Sequence, residues 1–416
     1  MLSTLIHSAR ECSILRAISL CAMLAVATPA VSASITSKHT LTTNGAGLFP
    51  YYRIVALANL GNGVLLASYD GRPDGGDSPS PNSILQRRST DGGETWGEPT
   101  YIAQGQAKTS TLQQYGFSDP SYVVDSKTGK VFNFHVFSKN QGFVNSAIGN
   151  DDTNLNIGAE LDHRSGPSIL FTSYCIYQYW RTSTHYKCDQ AVGSTINGVA
   201  NTGGITGLFA SSGEGIQLKY GTYAGRLVQQ FLGRVVQLDG SRVSQAYSVY
   251  SDDSGATWNM GKVIGTGMDE NKVVELSNGN LMLNSRPSDS SGYRKVATST
   301  DGGETWSTPT SENQLPDPGN NGAITKMYPD AAQDSANAKV LLFTNANNKT
   351  SRSNGTIRYS CDDGKTWSPG TVFQSGPMAY SIVTALGDDR FGIFYEGDNN
   401  DLVYIEVSKE LIGVSC

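Results

Sequence analysis

An eight-residue pattern, Ser-x-Asp-x-Gly-x-Thr-Trp, occurs four times in the chain, at Ser89–Trp96, Ser251–Trp258, Ser299–Trp306 and Ser360–Trp367, and accounts for four of its five tryptophans. A chain that repeats one motif at separations of 162, 48 and 61 residues is assembled from like units. Each copy follows a stretch that alternates apolar and polar residues: Ser83–Arg88, Tyr247–Tyr250, Tyr293–Ala297 and Thr356–Tyr359. Period-two alternation marks a half-buried strand. Each copy is therefore read as a hairpin turn, in which the Asp bonds loop N–H groups, the Gly supplies a positive φ and the Trp wedges between neighbouring sheets. The long gap is roughly three of the shorter ones, so two further units are expected between residues 97 and 250 with their turn motif lost. Six sheets arranged radially make an all-β, six-bladed β-propeller, whose repetition hides strand edges and leaves a central pocket.

Residues 1–33 read as a secretory signal. Arg10 and Arg16 precede an apolar run from Ala17 to Ala27, and Val31-Ser32-Ala33 makes a small-residue cleavage site. No later stretch approaches the ~20 apolar residues of a membrane-spanning helix. A secreted, extracellular monomer without a membrane anchor is expected, with residues 34–416 forming one propeller domain. A net charge of −6 argues against nucleic acid as a partner, and an anionic ligand would have to be held by a local cluster of arginines.

Cys12 and Cys21 leave with the signal, and the remaining Cys175, Cys188, Cys361 and Cys416 allow three pairings. The favoured one joins Cys361, inside the last repeat, to the final residue Cys416, tying the C-terminal strand to the last blade; Cys175 and Cys188 then pair by default. No Cys-x-x-Cys or His-x-x-x-His spacing supports a metal site.

The residues that do not repeat carry the chemistry. Tyr51-Tyr52-Arg53-Ile54 opens the first recognisable strand, with Arg72 19 residues and Asp77 24 residues beyond Arg53. Further along come Gly116–Pro120, Ala210–Leu218, Gly267–Asn271, Asn284-Ser285-Arg286, Thr350–Thr356 and Met378–Ser381. In these motifs and their order the chain resembles the secreted, six-bladed sialidases, or neuraminidases, over nearly all of its length after the signal. Val55 stands where that family has Pro, a departure expected to alter a local turn and not the arginine.

The resemblance implies a role for each residue, and the chemistry makes each role reasonable. Sialic acid carries a carboxylate on its anomeric carbon, and a guanidinium grips a carboxylate in a planar, two-pronged fashion. Arg53, Arg286 and Arg352 would form that carboxylate clamp. A carboxylate nucleophile would be repelled by the substrate, and sialidases use a tyrosine instead. The resemblance makes Tyr380 the nucleophile and Glu270 its base. Asp77 becomes the acid toward the leaving oxygen and then the base toward water. Arg72 and Asp119 would contact the 4-hydroxyl side of the sugar and its N-acyl group. Glu214 either positions Tyr380 or caps a turn. The activity implied is retaining exo-α-sialidase action on sialylated glycoproteins, glycolipids or glycans, with no cofactor. A trans-sialidase and a non-catalytic sialoside-binding propeller are the alternatives, and only an enzyme needs Tyr380, Glu270 and Asp77 together.

Between Asp162 and Phe209 the family pattern lapses. The stretch is either an insertion closed by Cys175–Cys188 or untranslated sequence retained in the gene model, and the second reading is preferred because a repeat unit is missing while its flanking motifs are intact.

Overall fold

The structure, a computed structural model, describes residues 35–139, 142–145, 155–162, 172–175, 205–237 and 239–416, with backbone alone at 145, 155–162, 172–175 and 205–206. The signal 1–33, Cys188 and the assumed Cys175–Cys188 bridge lie outside what is described. So does most of the stretch from Asp162 to Phe209.

Six sheets, antiparallel except for one two-residue pairing on the inner edge of blade two, make the six blades of a propeller. Blade one runs outward from the axis as Tyr51–Asn59, Leu65–Arg72, Ser83–Ser89 and Thr100–Ala103. Blade two is Gly116–Asp125, Lys130–Ser138, Leu155–Asp162 and Thr172–Cys175, and blade three has Ile205–Ala210, Leu227–Val236, Arg242–Ser251 and Asn259–Met260. Blades four and five follow as Met268–Glu275 through Thr310–Pro316 and Ala323–Lys326 through Thr371–Pro377. The sixth blade takes three strands from the C-terminal end, Ser381–Gly387, Arg390–Glu396 and Leu402–Ser408, and its outermost strand from Ile35–Thr42. Of the two units without the turn motif, only blade two lies within 97–250; the other is built from both ends of the chain. The sequence reading placed both in the long gap because local periodicity cannot register a pairing such as Lys38 with Ile405.

The turn motif works as its residue types suggest. In the first copy Ser89 Oγ accepts from Gly93 N at 2.9 Å and donates to Asp91 Oδ1, while Asp91 accepts from Thr95 N at 2.9 Å. The same bonds recur in the other three copies. Gly93 has φ +100°, and a Cβ there would come within 2.6 Å of the Tyr404 ring, so both backbone and packing require glycine. Trp96 meets Tyr404 of blade six edge-on at 5.0 Å, and Trp258 meets Phe132 and Phe134 of blade two. Such pairs contribute about 0.5–1.5 kcal/mol beyond area burial, and here they join one blade to the next.

Cys361 and Cys416 form a disulfide with Cα atoms 5.6 Å apart. Cys361 belongs to the turn of blade five and Cys416 follows the last strand of blade six, so the bridge fastens the chain end to blade five, not to the blade that it completes. A loop of 55 residues closed in this way contributes about 4 kcal/mol in the chain-entropy account.

Irregularities in the innermost strands shape one end of the propeller. The pairing register shifts between Arg53 and Val55, between Ser118 and Ser121, and between Met268 and Asn271. Each is the start of an inner strand, and a bulge re-aims the side chain that it carries. Ile54 sits in the first with φ +62° and Asp119 in the second with φ +59°. A β-branched residue in the left-handed region is strained, and such strain gathers at functional sites. Beyond the bulge Val55 resumes the ladder opposite Tyr69.

Candidate active site

Tyr380 stands between blades five and six, at the start of the inner strand of blade six, and is 6% exposed. Three arginines from three other blades surround it. The guanidinium carbons of Arg53 and Arg352 lie 5.4 and 5.5 Å from the centre of its ring, and Arg286 Nη1 donates to its hydroxyl at 3.1 Å. Arg53 is held by Glu396, whose Oε2 accepts from Nε at 3.0 Å while Oε1 accepts from Ile54 N at 2.6 Å. Glu396 thus fixes both the arginine and the strained residue after it. Arg352 donates to Gly319 O at 3.3 Å. Arg286 Nε is buried without a hydrogen bond, its acceptor Asp269 Oδ2 standing 3.8 Å away. Three cations with donors to spare around one phenol make a receptor for a planar anion.

The phenol and its neighbour are matched. Tyr380 donates to Glu270 Oε2 at 2.7 Å, and Arg286 Nη1 donates to the same oxygen at 2.7 Å. Burial, and then the Glu270 charge, push the Tyr380 hydroxyl well above the usual phenol range, against the pull of Arg286, Arg352 and Arg53. At rest it is a neutral phenol. Burial works against the Glu270 carboxylate, but Arg286, the Tyr380 hydrogen bond and Lys272 together keep it below the usual carboxylate range. A neutral hydroxyl 2.7 Å from an ionised carboxylate is an acid–base pair ready to make a phenolate.

Asp77 approaches from blade one, on the loop after Leu65–Arg72. Its side chain is 79% exposed and accepts from Arg72 Nη2 at 3.0 Å. Arg72 is buried and held from behind by Asp70, whose Oδ2 accepts from Arg72 Nη2 at 2.8 Å and from Nε at 3.1 Å. Asp70 Oδ1 also accepts from Asp119 N at 3.0 Å, so one carboxylate orients Arg72 and the Asp119 backbone together. Burial raises the Asp119 carboxyl well above its ordinary range, reinforced by Asp70, Asp77 and Glu270. Arg72, Asp77 and Asp119 therefore form one wall of the site. Facing Arg286, a cavity of about 1070 Å³ opens over blades three to five, lined by Asp269, Lys295, Gly319, Lys349 and Thr350 among others.

Glu214 is placed differently. Its segment, Ser211–Gly215, interrupts the inner edge of blade three and crosses to blade two, where Gly213 and Glu214 pair in parallel with Ser121 and Tyr122. Glu214 lines a cavity along the propeller axis together with Lys272, and burial pushes its carboxyl up to about 8 against the pull of that lysine. Among the described residues it makes no hydrogen bond to Tyr380. No sequence motif singles out Glu396, Asn321 or Lys272, and Asp70 and Ser212 lie within motifs that assign them no role. Glu396 left a signal, an acid ending the apolar run Phe391–Tyr395; the others acquire meaning only when the blades converge. Among the described residues, no group of three or more His, Cys, Asp and Glu could hold a metal ion.

A family model for the BNR repeat-like domain matches residues 216–394. A sialidase of Micromonospora viridifaciens is 50% identical over 360 residues, covering 86% of this chain and 52% of that protein. A sialidase of Bacteroides fragilis is 28% identical over 369 residues, covering 87% of this chain and 63% of that one. The chain thus spans about half the length of the first relative and under two thirds of the second. Among solved structures, a Hadza microbial sialidase superposes with a TM-score of 0.72 at 25% identity, over 88% of this chain and 67% of that chain. A leech intramolecular trans-sialidase superposes at 0.69 and 18% identity, over 91% and 71% respectively, a likeness of fold.

Proposed function

This chain belongs to the sialidase family, and from that premise we propose that it is a retaining exo-α-sialidase releasing terminal α-linked sialic acids from glycoproteins, glycolipids or oligosaccharides. The observation that carries this reading is Tyr380 bonded to Glu270 at 2.7 Å while three arginines from different blades face the same ring. Arg53, Arg286 and Arg352 bind the substrate carboxylate and place the anomeric carbon over the phenol. Tyr380 Oη attacks that carbon and its proton passes to Glu270. Asp77 gives its proton to the departing glycosidic oxygen as that bond breaks. In the second half Asp77 takes a proton from water, the water oxygen attacks the anomeric carbon from the vacated side, and Tyr380 leaves with the proton returned by Glu270. Two displacements at one carbon retain its configuration.

On the same reading residues 1–33 are a secretory signal, and the propeller that follows is secreted and monomeric. Among the described residues no helix is long and apolar enough to cross a membrane. A sialoside-binding propeller would need the arginine clamp alone, so the presence of Tyr380, Glu270 and Asp77 supports the enzyme. Proton NMR of a sialyl-lactose digest tests the proposal. Free sialic acid should appear first as its α-anomer and mutarotate afterwards. The β-anomer appearing first, or binding without release, would contradict it, and sialyl transfer to added acceptor in place of hydrolysis would favour the trans-sialidase.

A further inference from the structure

Behind the Tyr380–Glu270 pair lies a set of polar groups that the reaction as written does not use. Glu270 Oε2 faces Tyr380 and Arg286, and its other oxygen, Oε1, accepts from Ser212 Oγ at 3.2 Å and from Asn321 Nδ2 at 3.4 Å. Asn321 Nδ2 also donates to Ser212 Oγ at 2.8 Å. Its Oδ1 accepts from Lys272 Nζ at 2.9 Å, and Ser211 Oγ stands 3.5 Å from the same ammonium. Lys272 is two residues beyond Glu270 on the inner strand of blade four, where the ladder has regained its register at Asn271. One faces the site and the other the axial cavity beneath, of about 440 Å³.

The fold makes room for this lysine. Gly213, with φ +122°, lies against it, and a Cβ there would stand 2.6 Å from Lys272 Cε. The detour Ser211–Gly215 thereby supplies Ser211 and Ser212 to the polar set and a gap for the lysine stem. A buried ammonium is costly unless it is bonded and charge-balanced. Burial pulls the Lys272 ammonium down to about 7, with Arg294 acting in the same sense, against Glu270, Asp119 and Glu214, which favour its charge. Among the described residues it makes no hydrogen bond to Glu214. Its shorter bond, at 2.9 Å, goes to the amide that bonds Glu270, and its longer one, at 3.5 Å, to Ser211 Oγ.

Resting on the sialidase reading above, we propose that Lys272 is a positioning residue: it fixes the orientation of the Asn321 carboxamide and, through Asn321 and Ser212, holds the Glu270 carboxylate with Oε2 directed at Tyr380. With Oδ1 occupied by the ammonium, Asn321 must present its NH₂ to Glu270. Without the ammonium the amide can turn over and set an acceptor against the carboxylate. The charge itself also counts, because Glu270 is faced by Arg286, Tyr380 and Lys272, with Asp269, Asp119 and Arg294 further off. Removing one of these cations makes Glu270 harder to ionise, so the acid limb of the rate profile must move to higher pH.

Lys272→Met should lower kcat roughly 10–100-fold, by analogy with the loss seen when the hydrogen-bond partners that orient metal ligands are removed. KM for an aryl sialoside should change little, since the arginine clamp is intact, and the acid limb should rise by about one pH unit. Lys272→Gln keeps a donor for Asn321 without the charge; it should recover much of kcat and keep the displaced limb. Lys272→Met with Glu214→Gln separates this role from simple neutralisation of Glu214. We expect the double variant to keep the displaced limb, and a return to the wild-type profile would overturn the proposal. A second readout is independent of turnover: carbon-13 NMR of protein labelled at glutamate Cδ, with the Glu270 signal identified by its loss in Glu270→Gln. Its titration should move up by about one unit in both single variants. An unmoved titration refutes the positioning role even if the wild type releases no sialic acid, a result that would separately refute the sialidase assignment.

Discussion

Replacing Tyr380 by phenylalanine should lower kcat on a sialyl-oligosaccharide and on an activated aryl sialoside alike, by roughly 10³–10⁶-fold, the range in which loss of a covalent nucleophile falls. Attack precedes or accompanies departure of either leaving group, so a better leaving group cannot rescue the variant. Phenylalanine keeps the ring against Arg53 and Arg352, and Glu270 keeps its bond from Arg286 at 2.7 Å, so the fold and KM should survive. Steady-state kinetics on both substrates check this. Water entering the space left by the hydroxyl can sustain a slow reaction. A loss confined to one substrate would mean that Tyr380 does not form the first bond.

Asp77→Ala should separate the two substrates. A sugar hydroxyl needs a proton to leave, whereas an acidic phenol departs as its anion, so the loss should be roughly 10²–10⁴-fold on the oligosaccharide and far smaller on the aryl sialoside. The variant should fold normally, since Asp77 is 79% exposed and Arg72 keeps both bonds to Asp70. Comparing kcat/KM for the two substrates in parallel measures the effect. Equal losses would leave Asp77 as a loop residue and give the proton to another group.

How much of this was legible beforehand depended on whether the signal was local. The turn motif encodes its own hydrogen bonds within eight residues, and the strands before each copy carry their alternation in plain view; four blades and the propeller class followed from them. The sixth blade did not, because it has no turn motif and its edge strand Ile35–Thr42 comes from the far end of the chain. The disulfide partners were readable from four cysteines, yet the blade that they fasten was not, since blade number depends on where the chain closes. Arg53, Arg286, Arg352, Glu270, Tyr380 and Asp77 stand out only through a family resemblance; taken singly, the arginines read as surface strand residues, Tyr380 as a packing residue and Asp77 as a turn former. What no local pattern could show was the means of aiming them: the bulges at Arg53, Asp119 and Glu270, the positive φ of Ile54, and the grip of Glu396 on both Arg53 and Ile54. Glu214 was the least readable. An acid between two glycines suggests a turn, and the structure instead places it on the axis because its segment leaves blade three for blade two.

The account turns on a covalent bond between Tyr380 and the anomeric carbon. A sialosyl fluoride bearing a second fluorine on the carbon beside the anomeric centre should reveal it. Fluoride leaves readily, so the first step proceeds, while the neighbouring fluorine destabilises the positively charged transition states and slows release of the sugar. The inhibited protein, digested and mapped by mass spectrometry, should carry the fluorosialosyl group on the peptide containing Tyr380, and Tyr380→Phe should carry none. A label on Asp77 or Glu270, or turnover of the fluoride with no adduct at any time, would contradict the assignment of Tyr380 as the nucleophile.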